Sequence, residues 1–146
     1  WADIREAAAA RCKLPEPMDI RGYDLDDKAV RATRRNLDES GFGGIVTVDR
    51  ADLLDTQPLT DHGILVANPP YGERLGELEE LALFYPQLGS ALKKNWAGWN
   101  CFFFTADLRL PKLVGLKPSR KTPLFNGPLE CRLFEIRMVA GSNRKE

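Results

Sequence analysis

An α/β fold, with a mostly parallel sheet that finishes in an antiparallel hairpin, is the class this sequence predicts, and three observations predict it. Short β-branched or apolar runs alternate with segments at helical spacing, the rhythm of a parallel sheet with helices on both sides. The central runs "GILVAN" and "WNCFFFTA" are apolar and too short for helices, as in strands buried on both faces. The last part breaks the alternation: "RKTPLFNGPLECRLFEIRMV" carries two apolar segments around Asn126-Gly127, a strong short hairpin signal.

Each element follows from its residues. "WADIREAAAA" is Ala-rich with interspersed charges, so a helix is expected up to about Cys12, ended by "KLPEP". The start at Trp1, inside this helix, looks cut from something longer. "MDIRGYDLD" alternates into a short strand that ends in acids. "DDKAVRATRRNLDESGFG" then sets Ala29, Val30, Ala32, Thr33 and Leu37 at helical spacing, with Asp26 or Asp27 as N-cap and Gly41 as the stop. "GIVTVDRAD" is a brief β-branched strand, "GILVAN" the next strand, "LEELALFYPQLGSALKKN" a helix and "WNCFFFTA" a further strand. The tail "GSNRKE" reads as frayed.

Composition narrows the class of protein. With 146 residues, 43% hydrophobic and 29% charged, the chain has the balance of one soluble globular domain. No window has the eighteen or so consecutive apolar residues of a membrane span, and no signal-peptide pattern opens the chain, so a cytoplasmic location and no membrane partner are expected. Lys plus Arg equals Asp plus Glu, so an anionic partner must be met by local clusters of charge. Cys12, Cys101 and Cys131 lie far apart and read as reduced, packed thiols. His62 has no second histidine with which to share a metal and reads as a turn residue; no metal site is expected.

Ligands of open parallel sheets bind at the carboxyl ends of strands, where "GYDLD" places Asp24. A carboxylate there can accept both hydroxyls of a ribose. Asp26 reads as a helix cap as readily as a ligand. In "RADLLD", Asp52 follows a strand by a few residues; by itself this is turn chemistry, but in series with Asp24 it suits the exocyclic amine of an adenine, with Leu53 against the ring face.

The stretch "GILVANPPYGER" needs more than a turn to explain it. Asn68 and Pro69 each precede a proline and are driven out of the α region, so the segment is extended and stiff. The Asn68 side-chain oxygen and the Pro69 carbonyl can then converge on one amino group without competition from proline amides. An amine on an aromatic ring is a poor nucleophile because its lone pair is delocalised. Accepting both of its hydrogens favours the geometry in which the lone pair faces an electrophile, and such positioning can supply roughly 7–11 kcal/mol of a barrier. Pro70 completes the stiff segment, and Tyr71 would stack on the base, worth roughly 1–3 kcal/mol.

Among the cations, Arg31, Arg34 and Arg35, like Lys93 and Lys94 at a helix C-terminus, are expected in solvent. "KPSRK", read as a loop before the hairpin, offers Lys117, Arg120 and Lys121 as phosphate contacts. Arg74, beside the Asn68 loop, is the better candidate, either for a phosphate or for ordering the loop through Glu73.

"NPPYGER", preceded by "GYDLD" and "RADLLD" and followed by "AGWNCFFFTA" and "FNGPLEC", resembles the THUMP-associated guanine-N2 methyltransferases of 23S ribosomal RNA over nearly the whole chain. The Asn-Pro-Pro-aromatic tetrapeptide alone marks amino-methyltransferases generally; the "GER" extension and the "NGPLEC" tip narrow it to the rRNA branch. The resemblance implies a Rossmann-like class I methyltransferase fold and S-adenosylmethionine as donor, with Asp24, Leu25 beside it, on the ribose and Asp52 and Leu53 on the adenine. It places Asn68, Pro69, Pro70 and Tyr71 at the acceptor base of a ribosomal RNA.

The chain departs from the family at one point. The family's first strand, its glycine-rich turn of the Asp-Pro-x-Cys-Gly-Ser-Gly type and the THUMP domain are absent, so residues 1–146 correspond to a partial catalytic domain. The absent strand is central in the family's sheet, so a gap or rearrangement is expected, and weak donor binding with it. The same tetrapeptide also fits an adenine-N6 DNA or protein-glutamine methyltransferase, and the lost turn fits a degenerate, non-catalytic RNA-binding module.

Overall fold

The structure, a computed structural model, describes residues 1–13, 18–70 and 77–139, and the backbone alone for 77–80. It divides into two compact units, Trp1–Asp52 and Leu53–Glu146. No helix among the described residues is long and apolar enough to cross a membrane.

The first unit runs α1 (Ala2–Ala10), β1 (Ile20–Asp24), α2 (Asp27–Glu39) and β2 (Val46–Arg50). The expected helix to Cys12 stops at Ala10 and buries none of its residues; "KLPEP" falls largely outside the described residues. β1 and β2 pair in parallel, with Asp24 opposite Arg50, so both strands end on the same side of the ribbon. Asp26 caps α2 by accepting the backbone N–H of Lys28 at 2.9 Å, and Gly41 follows the helix with φ +79°. Of the five residues expected to face inward on α2, only Val30 is fully buried. Arg34 is exposed, as expected, but it is also paired. Its Nε donates to the Val48 carbonyl at 2.6 Å and its terminal nitrogen meets Asp49 at 2.7 Å, tying α2 to β2. Arg31 pairs with Asp27, and Arg35 with Glu39, one helical turn away, as exposed ion pairs worth little.

The second unit runs β3 (Gly63–Ala67), α3 (Glu77–Asn95), β4 (Trp99–Thr105), α4 (Leu110–Leu113), β5 (Arg120–Asn126) and β6 (Leu129–Arg137). Its sheet has the order β3-β4-β6-β5, with β3 parallel to β4 and the hairpin antiparallel. The hairpin's second strand, β6, lies next to β4, which leaves β5 at the edge. The described strands thus make two parallel and two antiparallel pairings, a mixed arrangement and not a mostly parallel one, divided between a two-stranded and a four-stranded sheet rather than joined in one.

Leu81, Tyr85, Leu88 and Leu92 recur at helical spacing on α3 and, with Trp96 just after it, pack with Leu65, Cys101, Phe103, Phe134 and Ile136 from the sheet and with Leu110 and Val114 at the two ends of α4. Pro86 sits inside α3, and the Ser90 hydroxyl bonds its carbonyl at 3.0 Å. Cys101 and Cys131 are buried free thiols, and Cys12 is an exposed one. Burial pushes the Cys101 thiol up to about 12.

Three expectations need correction. β3 is not buried on both faces: Leu65 is 8% exposed, but Ile64 is 67% and Val66 71% exposed, because among the described residues the helical layer covers only the Leu65 face. Arg120 and Lys121 are not in a loop; they open β5, so only Lys117 of the three candidate cations precedes the strand. The hairpin reversal also sits one residue later than Asn126-Gly127. Asn126 pairs with Leu129, which leaves Gly127 and Pro128 as the central residues, with Gly127 at φ +59°. Proline fixes φ negative, which suits the second central position of a II′-type turn and rules out the double positive φ of a I′ turn.

Candidate active site

In the first unit, Asp24 closes β1 and is exposed. One of its carboxylate oxygens accepts the backbone N–H of Asp26 at 2.8 Å. The Asp24 carbonyl accepts the N–H of Ala51 at 3.1 Å, and Arg50 Nε donates to the Leu25 carbonyl at 3.0 Å. The turn after β1 is therefore stitched to the end of β2, and Asp52 lies two residues past the Arg50 that is registered against Asp24. Two carboxylates thus follow the carboxyl ends of adjacent parallel strands, where open sheets receive ligands. Leu25 is 60% exposed, whereas Asp52 is half-buried. Asp26, whose role was open, spends its side chain on the helix cap.

The second unit begins with Leu53, which packs half-buried against the hydrophobic cluster of that unit. The loop after β3 carries Asn68, exposed, then Pro69, buried, then Pro70, exposed. No described residue engages the Asn68 amide. The Pro70 carbonyl, by contrast, is taken: the Tyr85 hydroxyl of α3 donates to it at 2.7 Å. Tyr85 is wholly buried, and burial first, then the Asp107 charge, pushes its phenol up to about 12. Behind it, the Thr105 side chain faces the Tyr85 phenol and partly offsets that rise, and its hydroxyl accepts the backbone N–H of Asp107 at 3.0 Å. Two Arg109 nitrogens meet the two Asp107 carboxylate oxygens, each at 2.9 Å, and hold that carboxyl below the usual carboxylate range.

Tyr71 and Arg74, expected at the base and at a phosphate, lie outside the described residues. Lys117, Arg120 and Lys121 are exposed. Two grooves among the described residues, of about 270 Å³ beside Arg34 and about 410 Å³ beside Pro86, are lined by neither Asp24, Asp52 nor Asn68. No group of three or more His, Cys, Asp or Glu is placed to hold a metal among the described residues. The buried set Tyr85, Thr105 and Asp107 was not read from the sequence. The lone hydroxyl in the apolar stripe of α3 was the available sign of it.

Comparison with known proteins agrees with this architecture. Residues 1–135 match the family UPF0020, described as RMKL-like, methyltransferase domain. The chain is 43% identical over 142 residues to a ribosomal RNA large subunit methyltransferase K/L of Syntrophotalea carbinolica, covering 93% of this chain and 20% of that protein. It is 40% identical over 121 residues to the protein of that name in Allochromatium vinosum, covering 82% of this chain and 16% of that one. The chain thus spans about a fifth of the length of the curated relatives it matches. Among solved structures, a possible methylase from Clostridium difficile 630 superposes with TM-score 0.86 at 26% identity, covering 99% of this chain and 38% of that one. SMU.472, solved in complex with SAH, superposes with TM-score 0.84 at 28% identity, covering 99% of this chain and 37% of that one. The fold is the Rossmann-like class I methyltransferase fold.

Proposed function

Because the chain belongs to the RMKL-like methyltransferase-domain family, we propose that the protein transfers a methyl group from S-adenosylmethionine to the exocyclic N2 amine of a guanine in 23S ribosomal RNA. The relatives' shared name supports a large-subunit ribosomal RNA as substrate but specifies neither base nor atom. The "GER" and "NGPLEC" segments around the tetrapeptide favour guanine N2.

The single observation that carries the reading is an exposed Asn68 amide, engaged by no described residue, on a segment whose following carbonyl is locked. In this role the Asn68 side-chain oxygen and the Pro69 carbonyl accept the two amine hydrogens and fix the lone-pair direction. S-adenosylmethionine, when bound, supplies an electrophilic methyl on its sulfonium. Asp24 and Asp52 suit the adenosine part of it, Asp24, with Leu25 beside it, toward ribose hydroxyls and Asp52 toward the adenine amine, with Leu53 against the ring face. The surplus amine proton passes to solvent, so no strong base is required. Tyr71 stacks on the base, while Arg74, Lys117, Arg120 and Lys121 serve phosphates. An unpaired or flipped-out base is the accessible substrate form.

The experiment supplies the full-length protein with methyl-labelled S-adenosylmethionine and, separately, unmodified 23S rRNA, adenine-containing DNA and a release factor. Label recovered as N2-methylguanosine from the rRNA is expected. Label in DNA adenine or in protein glutamine would move the same mechanism to another substrate. No transfer to any of them, with rRNA still bound, would favour the non-catalytic RNA-binding reading.

A further inference from the structure

The geometry points to Tyr85 as a positioning residue for methyl transfer, which locks the Asn68-Pro69-Pro70 loop through the Pro70 carbonyl, with Thr105 beside its phenol. This rests on the reading of that loop as the acceptor-amine cradle.

The argument is one of remaining torsions. Asn68 and Pro69 each precede a proline, which restricts ψ at both, and the rings of Pro69 and Pro70 fix φ at both. Past the strand, the soft torsions left in the segment are φ of Asn68, at the strand's end, and ψ of Pro70, because the residue after it is Tyr71. Its carbonyl is the group that Tyr85 grips at 2.7 Å. The same bond withdraws that carbonyl as a rival acceptor next to Pro69, so an incoming amine meets one fixed pair of oxygens instead of a choice.

Tyr85 is suited to this and to little else. It is the hydroxyl-bearing member of the apolar stripe Leu81, Leu88 and Leu92 on α3, where a phenylalanine would pack equally well. At 0% exposure its hydroxyl needs a partner, and the partner is the loop. The phenol donates to Pro70, and on its other side stands the buried Thr105 side chain, whose hydroxyl is held by the Asp107 N–H. Asp107 is clamped in turn by Arg109. With its phenol pushed up to about 12, Tyr85 stays a neutral donor near neutral pH and does not act as a base.

The test is steady-state kinetics of the full-length protein with S-adenosylmethionine and unmodified 23S rRNA. Tyr85→Phe is expected to lower kcat about tenfold, the factor that ~1.4 kcal/mol of lost positioning supplies, with both KM values within about twofold. Thr105→Val should lower kcat in the same way, whereas Thr105→Ser, which keeps the hydroxyl, should retain wild-type turnover. This pair carries the test if Tyr85→Phe does not fold. A kcat within about twofold of wild type in both Tyr85→Phe and Thr105→Val overturns the inference, as does Thr105→Ser falling as far as Thr105→Val. If the wild-type protein transfers no methyl at all, the functional reading fails separately, and the Pro70 carbonyl carbon resonance decides the geometric one. A changed resonance in Tyr85→Phe upholds the lock, and an unchanged one overturns it.

Discussion

In Trp1–Asp52 the candidate carboxylate Asp24 is oriented by a backbone N–H two residues away, whereas in Leu53–Glu146 the Asn68 loop is gripped by a tyrosine fifteen residues away on a buried helix. The first unit counts Val30 and Val48 as its buried hydrophobic residues among those described; the second gathers Leu65, Tyr85, Leu88, Leu92, Cys101, Phe103, Phe134 and Ile136 into one cluster. The contrast separates two ways of placing a polar group at a strand's end. A short turn suffices for a carboxylate that must only accept hydroxyls or an amine. An amide that must align a sluggish nucleophile needs a loop with few torsions left, and that takes a core behind it.

The largest effect should come from the core that only the second unit has. Phe103→Ala removes a side chain of 0% exposure and is expected to cost about 3–5 kcal/mol, while Val48→Ala in the first unit should cost about 0.5–3 kcal/mol. Denaturant unfolding of the two variants checks the order, and equal losses would erase the contrast. Next comes Asp24→Asn, which should weaken S-adenosylmethionine binding by about 1.5–3 kcal/mol in calorimetry of the full-length protein while leaving the melting temperature nearly unchanged, because the carboxylate is exposed.

A pH test addresses the second unit alone. Arg109 holds the Asp107 carboxyl below its ordinary range. A depressed native value contributes stability that is full above the unfolded value, about 3.9, and is lost as pH falls through the lower native one. Asp107→Asn should therefore be less stable than wild type at neutral pH, with the gap closing below about pH 4. A gap of equal size at pH 3 and pH 7 would show that the Arg109 clamp is not its source. The smallest effect is expected on the edge strand, where Arg120→Ala should weaken RNA binding slightly and lower the salt slope by about 1.

What was legible in the sequence was local. Alternating runs gave the strands and helices, Asp26 the cap of α2, Gly41 its stop, and "GYDLD" and "ANPP" the ends of β1 and β3. Contacts made at a distance were not legible. Arg34 looks like one more solvated cation until β2 offers it a carbonyl and Asp49. Ile64 and Val66 look like core because an apolar run does not say which of its faces a helix will cover. The hairpin slipped by one residue because the φ of Pro128 outweighed the turn preference of Asn126. Tyr85 was not singled out, since the carbonyl it serves belongs to a loop before its own helix.

The central claim is that the Asn68 amide aligns an amine and does little to hold the RNA. Asn68→Ala in the full-length protein, measured for single-turnover methyl transfer and for RNA affinity side by side, tests it most directly. The account predicts transfer slowed about 10²–10³-fold, with the RNA dissociation constant within about twofold. Equal losses in transfer and in binding, or transfer at the wild-type rate, would contradict it.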